Sequence, residues 1–247
     1  MRNVPTLFRR EMNAYFASVL GYVVMMFFLL VMGVTFAVVV SYLNRGPTQL
    51  TAMKILFSMF WLPSLVVVPM ITMRLLTEEK RAGTIEMLMT APVTDFEVVF
   101  AKWLGAVALY TLMWALTGLY VLVLRHFSGA TTALDIGPII SGYIGVLVIG
   151  QFLISIGVLT SSLTKNQVAA ALMSFAVIFL ILIVLNWMGF LFQGGPINKL
   201  VKAVSAFDHM DDFTRGILDV RPIILYVTGT IWALFVTTRV VESRKWR

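Results

Sequence analysis

Two stretches of this chain gather ionisable side chains closely enough to do chemistry. Residues 77–99 hold Glu78, Glu79, Lys80, Arg81 and Glu86, with Lys102 just beyond. Residues 207–219 hold Asp208, His209, Asp211, Asp212, Arg215 and Asp219. Carboxylates beside an imidazole suit a hard cation or general acid–base work in principle. On a helix, Asp208, Asp211 and Asp212 would share a face with His209 adjacent, but sparse Asp/His sets lack a diagnostic ligand spacing. A solvated acidic face is the stronger reading, so no metal and no catalytic residue is expected. The sequence also lacks H-E-x-x-H, G-x-S-x-G and the phosphate-cradling G-x-x-x-x-G-K-[ST]. Cysteine is absent, which removes thiol catalysis, thiolate metal sites and disulfides together.

The elements that must position these stretches belong to a membrane. Of 247 residues, 60% are hydrophobic and 13% charged, against roughly 45–50% and about 25% in soluble domains. Mean hydropathy is +0.92. Six apolar runs, at about 20–43, 55–76, 100–124, 138–163, 167–191 and 222–239, are each long enough for a helical span. The expected fold is an all-α integral membrane protein, one unit over 1–247, with an interfacial helix at about 3–18. The segment 77–99 joins the second and third spans, and an outer loop covers about 192–221. Too little chain remains for a soluble catalytic domain.

Charge sets the expected topology. The net charge of +7 does not form a basic module, so nucleic acid is not an expected partner. Lys and Arg number 12 on the side of the two termini and 7 on the other, which places both termini in the cytoplasm. In the N-terminal arm, Phe8, Met12, Tyr15 and Phe16 make a helical stripe suited to lipid contact at the interface. The middles of the spans carry no ionisable residue, which counts against proton- or sodium-coupled transport and puts the energy source elsewhere. Thr35, Thr72, Thr111, Thr117, Ser155, Ser174 and Asn186 read as helix-to-helix hydrogen-bonding groups rather than a substrate path. Pro63 and Pro69 can kink the second span. Gly142, Gly145, Gly150 and Gly157 in the fourth suit close helix packing, or less strongly a dimer seam.

Local signals shape 78–103 further. Ile85, Leu88 and Met89 fall on one face of a short amphipathic helix that Pro92 ends. Thr94 and Glu97 have capping-box spacing, so a new helix starts there and runs through Lys102 into the third span. Such an elbow is either a solvated interfacial connection or a rigid element that docks in a soluble partner. Pattern alone leaves both open. Thr164 and Gln167 have the same spacing at the turn into the fifth span. In the outer loop, Phe207, Met210, Phe213 and Ile217 form an approximate stripe that lies on the interface or dips into it, and Gly216 suits the end of that helix.

The ordered run from Glu78 to Val93 closely resembles the signature E-E-[KR]-x-x-G-T-[LI]-E-x-L-x-[ST]-x-P-[VL] of type-2 ABC transporter permeases, at the family's position between spans two and three. The matching residues are Glu78, Glu79, Gly83, Thr84, Glu86, Leu88 and Pro92, with Lys80, Arg81 and Met87 inside the run. Ser161 to Gln167 looks like the family's turn between spans four and five. Residues 207–219, with Phe207, Asp208, Asp212, Phe213, Arg215, Gly216 and Asp219, resemble the loop before the last span in gliding-motility-associated (GldF-like) permeases.

The resemblance implies a permease subunit of an ATP-driven exporter in a bacterial inner membrane, with the 77–99 segment as coupling helix. Its partners would be a separate ATP-binding cassette subunit holding ATP and Mg, a second permease copy or homologous permease, lipid, and an envelope accessory protein. The alternative is a non-transporting scaffold or mechanotransmitting subunit driven by the same kind of ATPase. In neither case does this chain carry a cofactor or act as the enzyme.

Overall fold

The computed structural model describes residues 3–43, 52–83, 94–127, 135–192 and 196–243. Every regular element among them is a helix. Six are long and apolar enough to cross a membrane: Val19–Ser41, Trp61–Arg81, Asp95–His126, Ile136–Leu163, Gln167–Leu191 and Val220–Glu242. Each satisfies its backbone internally, which a bilayer interior demands.

The chain enters through α1 (Val4–Ala17) and turns at Ser18 into α2 (Val19–Leu43). The second apolar run, expected as one helix over 55–76, comes in pieces: α3 (Ala52–Ser58), α4 (Trp61–Thr72) and α5 (Thr77–Ala82). Pro63 has no N–H to offer the Met59 carbonyl, which instead accepts from Leu62 in a tighter turn at 3.2 Å. The third span is α6 (Asp95–Leu116) and α7 (Gly118–Phe127), interrupted at Thr117. The fourth is the unbroken α8 (Ile136–Leu163). The fifth runs from α9 (Gln167–Phe179) through a π-helical turn at Leu180–Val184 into α10 (Leu185–Leu191). Beyond it come α11 (Pro196–Lys202), α12 (Ala206–Thr214) and the last span, α13 (Val220–Glu242).

The second and fourth spans form the centre, with 61% of their apolar windows buried, against 22% for the first and fifth. The glycines of α8 make this packing possible. A Cβ on Gly142 would stand 2.6 Å from the Phe57 ring, and on Gly145 2.6 Å from Phe213. On Gly150 it would stand 2.2 Å from Tyr110, and on Gly157 2.3 Å from Thr72. These faces are filled by the chain's own side chains, so the α8 glycines do not form a dimer seam. Above them Trp114 meets Phe28 edge-on at 5.4 Å and stacks near Phe57 at 6.2 Å.

Most span hydroxyls serve their own helix rather than a neighbour. Thr35, Thr72 and Thr111 donate to the carbonyls of Val31, Val68 and Val107, and Ser155 donates to Phe152. In apolar surroundings the nearest acceptor is the preceding turn. Thr117 does cross, reaching Tyr143 Oη at 3.0 Å, as does Ser64, which meets Tyr110 Oη at 3.3 Å. Ser174 Oγ is buried without a partner, and Asn186 lines a cavity beside α11.

Adding a side chain at the tightest α8 contact should overpack this core. Gly150→Leu is expected to destabilise the fold by about 1–3 kcal/mol, seen as a lower thermal midpoint in detergent. Gly118→Ala, whose Cβ would meet the Tyr143 hydroxyl at 3.8 Å, should leave that midpoint unchanged within error.

Candidate coupling site

The site is assembled where α1, α5 and the start of α6 meet. Thr94 fixes the first turn of α6 through a capping box: its hydroxyl accepts from Glu97 N at 3.3 Å, and Glu97 Oε2 accepts from Thr94 N at 3.2 Å. Asp95 and Glu97 put negative charge at the positive end of the helix dipole. The register so set carries Lys102 into the protein, with 5% of its side chain exposed.

There the Lys102 ammonium lies 2.8 Å from Glu79 Oε1 and 3.0 Å from Glu11 Oε1. Arg10 Nη2 reaches the same two oxygens, at 3.1 Å and 3.3 Å, from the more exposed side. Two cations and two carboxylates thus cancel in a place mostly shielded from water. An ion removed from water this far is tolerated only with its partners, and stripping away one partner of such a buried pair costs about 3–5 kcal/mol.

Glu79 is held on a second side. Its neighbour Lys80 is buried and donates to the Ser162 carbonyl at the end of α8. Ser161 Oγ accepts from Leu76 N at 3.1 Å, and Tyr15 donates to the Ile71 carbonyl at 3.2 Å. The two motif-bearing stretches at 78–83 and 161–167 are therefore in direct contact.

Of the residues read as coupling candidates, Glu79 and Lys80 turn inward instead of forming a solvated charged face, because each finds a buried partner. Glu78, Arg81 and Gly83 are exposed. Gly83 stands at φ +68° and ends α5, a left-handed conformation natural to glycine. α5 therefore stops at Ala82. Thr84, Ile85, Glu86, Met87, Leu88, Met89 and Pro92 lie outside the described residues. At the turn after α8 the cap is Asn166, whose Oδ1 accepts from Val168 N at 2.9 Å. Thr164 serves the turn itself, accepting from Asn166 N. Arg10 and Glu11 were not singled out by pattern, and Ser161 and Ser162 only as the start of the turn between spans four and five. The one signal was Lys102, a cation within an apolar run that had to find a carboxylate somewhere.

The residues of 207–219 sit at the opposite end of the bundle. Ser205 caps α12, accepting from Asp208 N at 3.3 Å, and Gly216, at φ +86°, closes it. The expected stripe turns into the core rather than onto the interface: Met210 and Phe213 are buried, and Phe207 packs on Phe60 and Trp61. Ile217 alone of the four is exposed. The acidic face is partly engaged, since Asp211 pairs with Lys54 at 3.2 Å and with Arg215 at 2.5 Å. Asp212 accepts from Ile217 N through its carbonyl, Asp208 is exposed, and Asp219 caps α13. Among the described residues no three His, Asp or Glu side chains converge as metal ligands would. His209 is buried and its Nδ1 lies 2.8 Å from Tyr226 Oη. Burial holds its imidazole below the ordinary value, against the opposing pull of Asp208, Asp212 and Asp219.

A family model described as ABC-2 family transporter protein matches residues 65–241, well over half of the chain. No curated protein sequence matches it.

Lys102→Met should leave Glu11 and Glu79 sharing only the half-exposed Arg10, with no buried cation between them. A loss of about 3–5 kcal/mol is expected, measured as reduced thermal stability in detergent, with the double variant Lys102→Met/Glu79→Gln recovering part of it. For His209 the sign follows from its lowered value. Above the ordinary pKa of 6.5 both folded and unfolded chains are neutral at this site. Below it the unfolded chain takes the proton first, so stability falls with pH until the folded value is passed. A pH series from 7.5 to 5 should show that loss, and His209→Gln should flatten it.

Proposed function

The chain belongs to the ABC-2 family of transporter proteins, and from that premise we propose that it is the membrane permease of an ATP-driven exporter, moved through the 77–99 segment. ATP and Mg belong to a separate ATP-binding cassette subunit, which attaches beneath α5 and the residues that follow it. This chain does no hydrolysis. The exposed Glu78, Arg81 and Gly83 form its contact surface, while Glu79 and Lys102 brace that surface from behind.

One observation carries this reading: Lys102 binds Glu79 and Glu11 at once. Load applied at α5 therefore reaches α1 and α6 through ion pairs, and α8 through Lys80 and Leu76. A solvated connection has no use for such ties, because exposed charges are better left in water. The Lys/Arg distribution supports cytoplasmic termini, which puts the elbow on the ATP side of a bacterial inner membrane. The first and fifth spans leave apolar faces for lipid and for a second permease, whether another copy or a homologue. The pattern at 207–219 favours the gliding-motility-associated subgroup and an envelope accessory protein on the far side.

The test uses the chain co-expressed with its ATP-binding subunit and reconstituted in vesicles. Gly83→Val places a branched side chain at φ +68°, with strain of about 1–3 kcal/mol, and Glu79→Gln weakens the brace. Each should reduce permease-dependent ATPase stimulation and co-purification at least fivefold, with the folded fraction retained. Unchanged complex formation and stimulation in both variants would refute the coupling role.

A further inference from the structure

A cavity of about 430 Å³ opens between α1, the first turn of α2 and the end of α4. Six charged residues line it, and four of them, Arg10, Glu11, Glu79 and Lys102, already neutralise one another. Two are left over. Among the described residues the Arg74 guanidinium hydrogen-bonds only to Ser18 Oγ, at 3.4 Å through Nη1, and its Nε is buried without an acceptor. Glu78, one turn further along, is exposed at the same cavity, and among the described residues neither forms an ion pair.

The Arg74 guanidinium lines the cavity with no carboxylate of its own, and its fork of N–H groups matches phosphate oxygens. The Ser18 hydroxyl accepts from Leu20 N at 3.3 Å, and its own hydrogen is free to donate to the same phosphate. A carboxylate at the rim with no cation of its own suits an ammonium. The two unpaired charges, one of each sign, therefore fit a zwitterion, and the neutral balance of the remaining four gives no preference for a net anion. The surroundings say what that zwitterion is attached to. Leu20, Ile71 and Leu75 form apolar walls. The outward face of α2 continues with Val19, Val23 and Met26, which are 78%, 49% and 71% exposed. A headgroup in this cavity would have its acyl chains along that face, at the level where an interfacial helix meets two spans.

We propose that this cavity binds the headgroup of an aminophospholipid, its phosphate on Arg74 and Ser18 and its primary ammonium on Glu78. The assignment rests on the membrane placement of the helices; it shares Glu78 with the surface proposed to meet the ATP-binding subunit, and because lipid retention is read without that subunit present the two readings fail separately.

The experiment is native mass spectrometry of the delipidated full chain, titrated separately with phosphatidylethanolamine, phosphatidylcholine, phosphatidylglycerol and inorganic phosphate. Phosphatidylethanolamine should be retained at least tenfold better than the other three. Arg74→Gln should lose that retention, and Glu78→Gln should erase the preference over phosphatidylcholine. Ala14→Trp, at the exposed rim, blocks the cavity with every charge in place and should also lose retention; it decides the matter if Arg74→Gln does not fold. Undiminished retention in a folded Ala14→Trp or Arg74→Gln protein overturns the proposal. Retention of phosphatidylglycerol equal to phosphatidylethanolamine overturns the zwitterion, and equal retention of inorganic phosphate makes this a free-anion site and overturns the lipid.

Discussion

An ammonium group almost shut off from water cannot stand alone, and at Lys102 that constraint organises one whole end of the molecule. Its two carboxylates come from residues 11 and 79, so three pieces of chain far apart in sequence must arrive together. The N-terminal helix is consequently not just an apolar raft. The face it turns to the protein carries Glu11, which is buried, while Phe16 on its other side is exposed. The short helix after the second span is fixed in rotation, because Glu79 must point in for Lys102 while Lys80 reaches the end of the fourth span.

The fourth span is the spine against which both ends are set. At one end Ser161 and Ser162 receive α5 and the turn before it. At the other Ser141 donates to the Phe213 carbonyl at 2.6 Å while the Phe213 ring fills the space over Gly145. Between these, Tyr110 and Thr72 close on Gly150 and Gly157. Helices inside a bilayer gain little from hiding apolar surface, so close backbone approach and a few polar ties must supply the cohesion. Here both are concentrated on one helix.

What could be read from the residues alone follows the range of the forces involved. Six apolar runs announce six spans because the bilayer selects by length and composition. The Thr94–Glu97 cap and the left-handed Gly216 were legible because a few adjacent residues determine them. Where two local acceptors competed, as with Thr164 and Asn166, pattern chose the wrong one, since spacing does not say which side chain reaches the free N–H groups. Long-range pairing was out of reach. Nothing near Glu11 or Glu79 in sequence marks them as partners of Lys102. Nor does the stripe on α12 reveal that α3 and α8 offer it a pocket instead of the membrane surface. The four glycines of α8 were visible as small residues, but the side chains that fill them, three aromatic rings and Thr72, come from four other elements.

The capped start of α6 has a mechanical consequence. Twenty-two residues of uninterrupted helix make a rod about 33 Å long at 1.5 Å per residue, and the rod stops at Thr117, where the hydroxyl ties it to Tyr143. If that tie serves as fulcrum, a sideways shift of ~3 Å at Thr94 swings the rod by ~5° over a helix of this length. Points nearer Thr117 move in proportion to their distance from it. On such a pivot the capped end beside the charge cluster is the end with the most travel, and Thr117, most of a bilayer away, the end with the least.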